Sequence, residues 1–184
     1  MNYPFLLKFS SITNLSDARY AVCAWADFVG FCFDASKPEY IEPNRAKEIA
    51  GWINGSLIVG EFGHQPIEWI SDFTKNIPCH ALQIPSNFEN LNVLDLNLPI
   101  ILEIHDTINE YLIKAAKCLL VFDKTQAEIL AVQYNIPVIL ETTNLDELKT
   151  LHENTGIALK GEFEKVPGTR NHESWNAILE PYSN

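Results

Sequence analysis

Short apolar runs punctuate the chain at residues 4–8, 28–33, 57–62, 80–84, 99–104, 118–122, 137–140 and 156–160. They are continuous rather than alternating, as in "PIILEI" (Pro99 to Ile104) and "CLLVF" (Cys118 to Phe122). A strand covered on both faces has this pattern, and a parallel sheet covers both faces. Helical patterns lie between the runs, at Ser16 to Ala26, Pro43 to Trp52, Pro66 to Phe73, Asn87 to Leu94, Thr107 to Ala116, Thr125 to Tyr134, Asn144 to Glu153 and Asn171 to Leu179. Ser16 and Asn171 are placed to cap their helices, Asp17 suits the dipole of a first turn, and Pro43 suits a helix start. Strand and helix alternate at a spacing of about 20 to 25 residues, the order that parallel crossovers require.

Eight such units predict an α/β fold, a closed (β/α)8 TIM barrel, with a doubly wound open sheet as the alternative. The chain has 184 residues, below the usual barrel length of about 200 to 250. The expectation is therefore one small barrel domain over residues 1–184, with shortened loops after the strands. In such barrels ligand chemistry sits at the C-terminal strand ends. That draws attention to Ser10 and Ser11, which follow the first apolar run.

Composition narrows the partners. The formal net charge is −11, and no cluster of Lys and Arg offers the basic footprint that nucleic acid needs. No apolar run approaches the roughly 20 residues of a membrane span. The first residues, "MNYPFLLKFSS", have no signal-peptide pattern, so a cytoplasmic protein is expected. Cys23, Cys32, Cys79 and Cys118 lack C-x-x-C spacing and sit in apolar segments, which predicts buried free thiols.

The first segment carries a resemblance. It reads Lys8-Phe9-Ser10-Ser11-Ile12-Thr13-Asn14, then Ala24-Trp25-Ala26-Asp27, Gly30-Phe31-Cys32-Phe33 and Ser36-Lys37-Pro38-Glu39-Tyr40-Ile41. This resembles the K-I-C-G-I-T-N, A-G-A-D, G-F-V-F and K-S-P-R-Y-V segments of the phosphoribosylanthranilate isomerase family of tryptophan biosynthesis. "VGEFGHQ", "LQIPS" and the final "EKVPGTRNHESWNAIL" continue it. The resemblance implies an Amadori rearrangement of a phosphoribosyl amine, without cofactor. It also implies a cysteine base on the first strand, an aspartate acid after the sixth, an arginine that holds the anthranilate carboxylate, and glycine-rich loops that cradle phosphate.

Carried over residue by residue, the base position is Ser10 and the acid position is Asp123. The arginine position is Glu39, which reverses the charge. Gln83 matches a family glutamine. The glycine pair after the seventh strand is Thr142-Thr143, and the turn after the eighth is Lys160-Gly161-Glu162. A thiol with a pKa of about 8.5 is tuned to take a proton far more readily than a serine hydroxyl, which needs a neighbouring base. A carboxylate at Glu162 would place charge beside a dianion.

The strand ends also collect acids. Asp34, Glu61, Glu103, Asp123, Glu141 and Glu162 fall at or just past them, with His64 and His105 at similar heights. Converging carboxylates raise one another's pKa or invite a cation; alternatively, half of them point outward or cap helices. No metal ligand set is assigned. The leading expectation is a diverged barrel that has lost the isomerase activity. The alternatives are an active isomerase and a different enzyme that uses the acidic mouth.

Overall fold

Along each strand, alternate side chains belong to two different clusters, and this sets what faces the barrel axis. The computed structural model describes residues 3–144, 155–163, 166 and 170–182. Its strands are β1 (Leu7–Ser10), β2 (Phe28–Cys32), β3 (Leu57–Glu61), β4 (Ala81–Pro85), β5 (Ile100–Glu103), β6 (Cys118–Val121), β7 (Val138–Glu141) and β8 (Thr155–Lys160). Each is parallel to the next, and β8 pairs with β1 to close the barrel. The open-sheet alternative is thereby excluded.

Val59, Ala81, Ile101, Cys118, Leu120, Ile139 and Ala158 form the inner cluster. Their strand neighbours, such as Leu7, Phe9, Leu82, Leu102, Leu119 and Leu140, join the larger cluster shared with the helices. Two-residue periodicity then assigns the rest. Lys8 and Ser10 face inward because Leu7 and Phe9 face outward. Glu61, Gln83, Glu103, Glu141 and Lys160 each lie two residues beyond a member of the inner cluster. The pair Ile101 and Glu103 points in, and the pair Leu102 and Ile104 points to the helices.

The helices are α1 (Leu15–Cys23), α2 (Pro43–Ala50), α3 (Ile67–Asn76), α4 (Glu110–Ala115), α5 (Lys124–Tyr134) and α6 (Glu173–Leu179). The link from β4 to β5 holds a 3-10 turn at Leu91–Leu96 instead of the helix predicted from Asn87. The helix predicted over Asn144 to Glu153 falls almost wholly on residues 145–154, outside the described residues.

Two local expectations change. β1 starts later than the apolar run, so Ser10 is its last residue and not the turn beyond it. Asn14, rather than Ser16, caps α1, its side chain accepting from the Asp17 N–H at 2.8 Å. Among the cysteines Cys32 and Cys118 are buried and Cys79 is partly so, but Cys23 at the end of α1 is exposed. Burial pushes the thiol of Cys32 up to about 11, and those of Cys79 and Cys118 up to about 12.

Candidate functional site

The mouth is a hydrogen-bonded network that starts from a buried lysine. Lys8 has no exposed surface, and Glu61 beside it is 5% exposed. The Lys8 ammonium donates to Glu61 Oε1 in a short contact and to Ser10 Oγ at 2.7 Å. Gly30 leaves the room for this pair, because a Cβ there would collide with the Glu61 carboxylate. Glu61 also accepts from the Ser11 hydroxyl at 2.7 Å and the Ser11 N–H at 3.0 Å. Ser11 is held at φ 53, a left-handed conformation that a side chain disfavours. The two bonds to Glu61 offset that strain. Ser10 and Ser11 therefore have separate tasks: Ser10 bridges across the barrel, and Ser11 anchors Glu61.

On its other side Ser10 neighbours Glu141. Burial raises the Glu141 pKa, and the charge of Lys8 and the nearby Ser10 hydroxyl only partly oppose it. A carboxyl whose folded pKa lies above its unfolded value of about 4.3 costs stability as pH rises through that range, and the full cost applies above the folded value. Glu141→Gln removes this cost. Its urea midpoint is expected to exceed that of the wild type at about pH 8 and to match it at about pH 4. A midpoint lowered at both pH values would mean that the Glu141 charge is stabilising.

Toward β4 and β5, Glu103 gathers three partners. Gln83 Nε2 donates to it at 2.7 Å, His105 Nε2 lies 3.1 Å away, and Lys37 Nζ lies 3.5 Å away. Burial drives Lys37 toward its neutral form, but Glu103, with smaller help from Cys32 and Glu61, outweighs this and raises its pKa. The oxygen of the Gln83 amide, Oε1, has no partner among the described residues. Across the rim, Lys160 Nζ meets Glu39 Oε1 at 2.7 Å. Burial raises the Glu39 pKa, but the hydrogen bond and charge of Lys160 outweigh it, and the net shift is downward.

The remaining strand-end acids do not converge on this network. Asp123 is the N-cap of α5, exposed, and accepts from the Gln126 N–H at 2.8 Å. Asp34 takes the Ser36 hydroxyl at 2.7 Å. Glu162 pairs with Arg170 at 3.1 Å, and its side chain is 65% exposed. Thr142 Oγ1 accepts from the Asn144 N–H at 3.0 Å. The Gly161 N–H donates to the Ser10 carbonyl at 2.7 Å, and a Cβ on Gly161 would press on the Ser11 carbonyl at 2.8 Å. Thr143 lines a rim cavity together with Glu39, Lys160 and Gly161. Among the described residues no group of three or more His, Cys, Asp or Glu is arranged to hold a metal ion.

The expected acid-filled mouth is therefore modified. Glu61, Glu103 and Glu141 do turn inward, but Lys8, Lys37 and Lys160 come with them. Sequence reasoning passed over Lys8 and Lys37. The available signal for Lys8 was its two-residue spacing from Ser10, since whatever turns Ser10 inward turns Lys8 inward too.

No family model matches the chain. Two curated relatives are N-(5'-phosphoribosyl)anthranilate isomerases. The one from Thermotoga neapolitana is 33% identical over 79 residues, which is 42% of this chain and 38% of that protein. The one from Bacillus cereus is 31% identical over 94 residues, 50% of this chain and 46% of that protein. The matched stretch thus spans less than half the length of these relatives. In fold the likeness runs nearly end to end. Phosphoribosylanthranilate isomerase from Thermus thermophilus superposes with a TM-score of 0.77 at 21% identity, covering 96% of this chain and 97% of that one. The chain is related to the phosphoribosylanthranilate isomerases. The enzyme from Pyrococcus furiosus shares the barrel as well, with a TM-score of 0.75 at 16% identity over 98% of this chain and 99% of that one. Of the isomerase positions, Ser10 and Glu39 lie in the buried network and its rim, while the Asp123 side chain is spent on a helix cap.

Proposed function

We propose that this barrel derives from a phosphoribosylanthranilate isomerase and no longer performs the rearrangement, acting as a binding scaffold in place of an enzyme. One observation carries this reading: the lysines of the mouth are each engaged by a carboxylate of the chain itself, Lys8 by Glu61, Lys37 by Glu103 and Lys160 by Glu39. A substrate bearing a phosphate and a carboxylate would have to displace these internal anions. Two like charges at about 4 Å cost about 4 kcal/mol at an effective dielectric near 20. The altered base adds to this. The Ser10 hydroxyl is neither a thiol nor beside a histidine, and its lone pair already accepts from Lys8. The acidic chain disfavours nucleic acid. No helix among the described residues is long and apolar enough to cross a membrane, and we place the protein in the cytoplasm.

A second reading has its own support. Glu141 neighbours Ser10, and burial raises its pKa, the direction in which a carboxylate becomes a better general base. An isomerase that had moved its base from the first strand to Glu141 would have this arrangement. Complementation of a tryptophan auxotroph lacking the isomerase separates the two. No growth is expected, with kcat/KM of the purified protein at least about a hundredfold below that of an active isomerase. Growth that is abolished by Glu141→Gln would establish the second reading. Growth abolished by Asp123→Asn, with Glu141→Gln tolerated, would establish retention of the parent chemistry.

A further inference from the structure

A cavity of about 610 Å³ opens at the rim beside the ends of β7 and β8. This is within the size range of small-molecule sites, about 300 to 1,000 Å³. Its walls are of two kinds. Pro38, Phe163, Trp175 and Ile178 supply apolar surface, and Glu39 and Lys160 supply one ion pair. The Lys160 side chain is 45% exposed and that of Glu39 is 18% exposed, so both are within reach of a solute.

The pair decides the ligand class. An anion that took Lys160 would strand the half-buried Glu39 carboxylate away from its nearest cation. A cation that took Glu39 would strand Lys160 in the same way. Leaving one partner of this part-buried pair uncompensated offsets the gain of the new contact. A zwitterion avoids both penalties, because it replaces one internal pair by two external ones and leaves no charge alone. The neighbouring charges fit this balance. Glu162 is already held by Arg170, so it does not compete for the ligand's ammonium. The charge of Glu141 acts on Lys160, and that of Lys37 acts on Glu39.

We propose that this rim cavity binds an α-amino acid with an apolar side chain, its carboxylate on Lys160, its ammonium on Glu39 and its side chain against Phe163 and Trp175. Calorimetric titration of the purified full chain with phenylalanine tests this, alongside hydrocinnamate, which keeps only the carboxylate, and phenethylamine, which keeps only the ammonium. Phenylalanine is expected to bind saturably, and each analogue at least about tenfold more weakly. Glu39→Gln and Lys160→Met are each expected to weaken phenylalanine at least about tenfold with the melting temperature little changed. Should either variant fail to fold, the comparison of analogues on the wild type decides alone. Hydrocinnamate binding as tightly as phenylalanine, or more tightly after Glu39→Gln, would make this an anion seat and overturn the proposal. Absence of saturable phenylalanine binding to the wild type would overturn it too. Binding is read without turnover, so the result stands apart from the complementation assay.

Discussion

Lys8→Met is expected to destabilise the protein by about 3 to 5 kcal/mol, the cost of leaving one charge of a buried pair uncompensated. Lys8 has no exposed surface and Glu61 is 5% exposed, so water does not replace the lost ammonium. Glu61 would keep only the Ser11 hydroxyl and N–H, and Ser10 would lose its donor. The double variant Lys8→Met with Glu61→Met is expected to recover part of the loss, because two apolar side chains of similar volume remove both charges together. Recovery is incomplete because the Ser11 N–H and hydroxyl are then left bare, at about 1 to 3 kcal/mol each. Urea unfolding of the wild type, both single variants and the double variant completes the cycle. A double variant whose loss equals the sum of the single losses would show that the two groups do not act as a pair, and the account of the mouth given above would fail.

Asp17→Ala is expected to cost a similar amount, about 3 to 5 kcal/mol, for a different piece of the architecture. Asp17 sits in the first turn of α1 with no exposed surface. Its carboxylate accepts from Asn14 Nδ2 at 3.1 Å, Arg170 Nε at 3.1 Å and the Glu162 N–H at 3.3 Å, and His172 Nε2 lies 2.8 Å away. Arg170 and His172 precede α6, and both rings of the His172–Trp175 pair pack near Tyr20 of α1. One carboxylate therefore ties the last helix to the first. Removing it leaves buried donors without an acceptor and loosens α6 before the rest of the barrel. Hydrogen exchange would show this as lost protection in α6 with β4 and β5 unchanged. Unchanged protection in α6 together with an unchanged melting temperature would count against the tie.

Particular elements show how far the residue order alone was informative. The run "CLLVF" became β6 over Cys118–Val121, a short apolar run of the kind a strand covered on both sides shows, with Phe122 exposed beyond it. The first run misled by a few residues. Pro4 to Leu6 are apolar, but pairing with β8 begins at Leu7, where Ile157 lies opposite. Asn87 to Leu94 has helical spacing, yet a short 3-10 turn suffices to carry the chain from β4 to β5. The site was partly legible. Ser10, Glu39, Glu61, Glu103, Glu141 and Lys160 were all identified as strand-end or rim positions. Asp123 and Asp34 were identified equally, and the structure uses the first as a helix cap and the second to hold a turn with Ser36. A capping aspartate and a catalytic one look alike in a sequence, because both follow a strand and precede a helix.

Apolar spacing and turn residues dictated eight parallel strands and a polar rim, since these depend on contacts between near neighbours and on the period of the backbone. The three-dimensional closure alone chose the partners. Lys8 and Glu61 lie 53 residues apart, and Lys37 and Glu103 lie 66 apart. Nothing local to either member announces the other. A strand's two-residue period sets whether a side chain faces the axis, but the stagger between strands sets which side chains share a level. That stagger brought Lys8 to Glu61, and the loop after β2 brought Lys37 to Glu103 and Glu39 to Lys160.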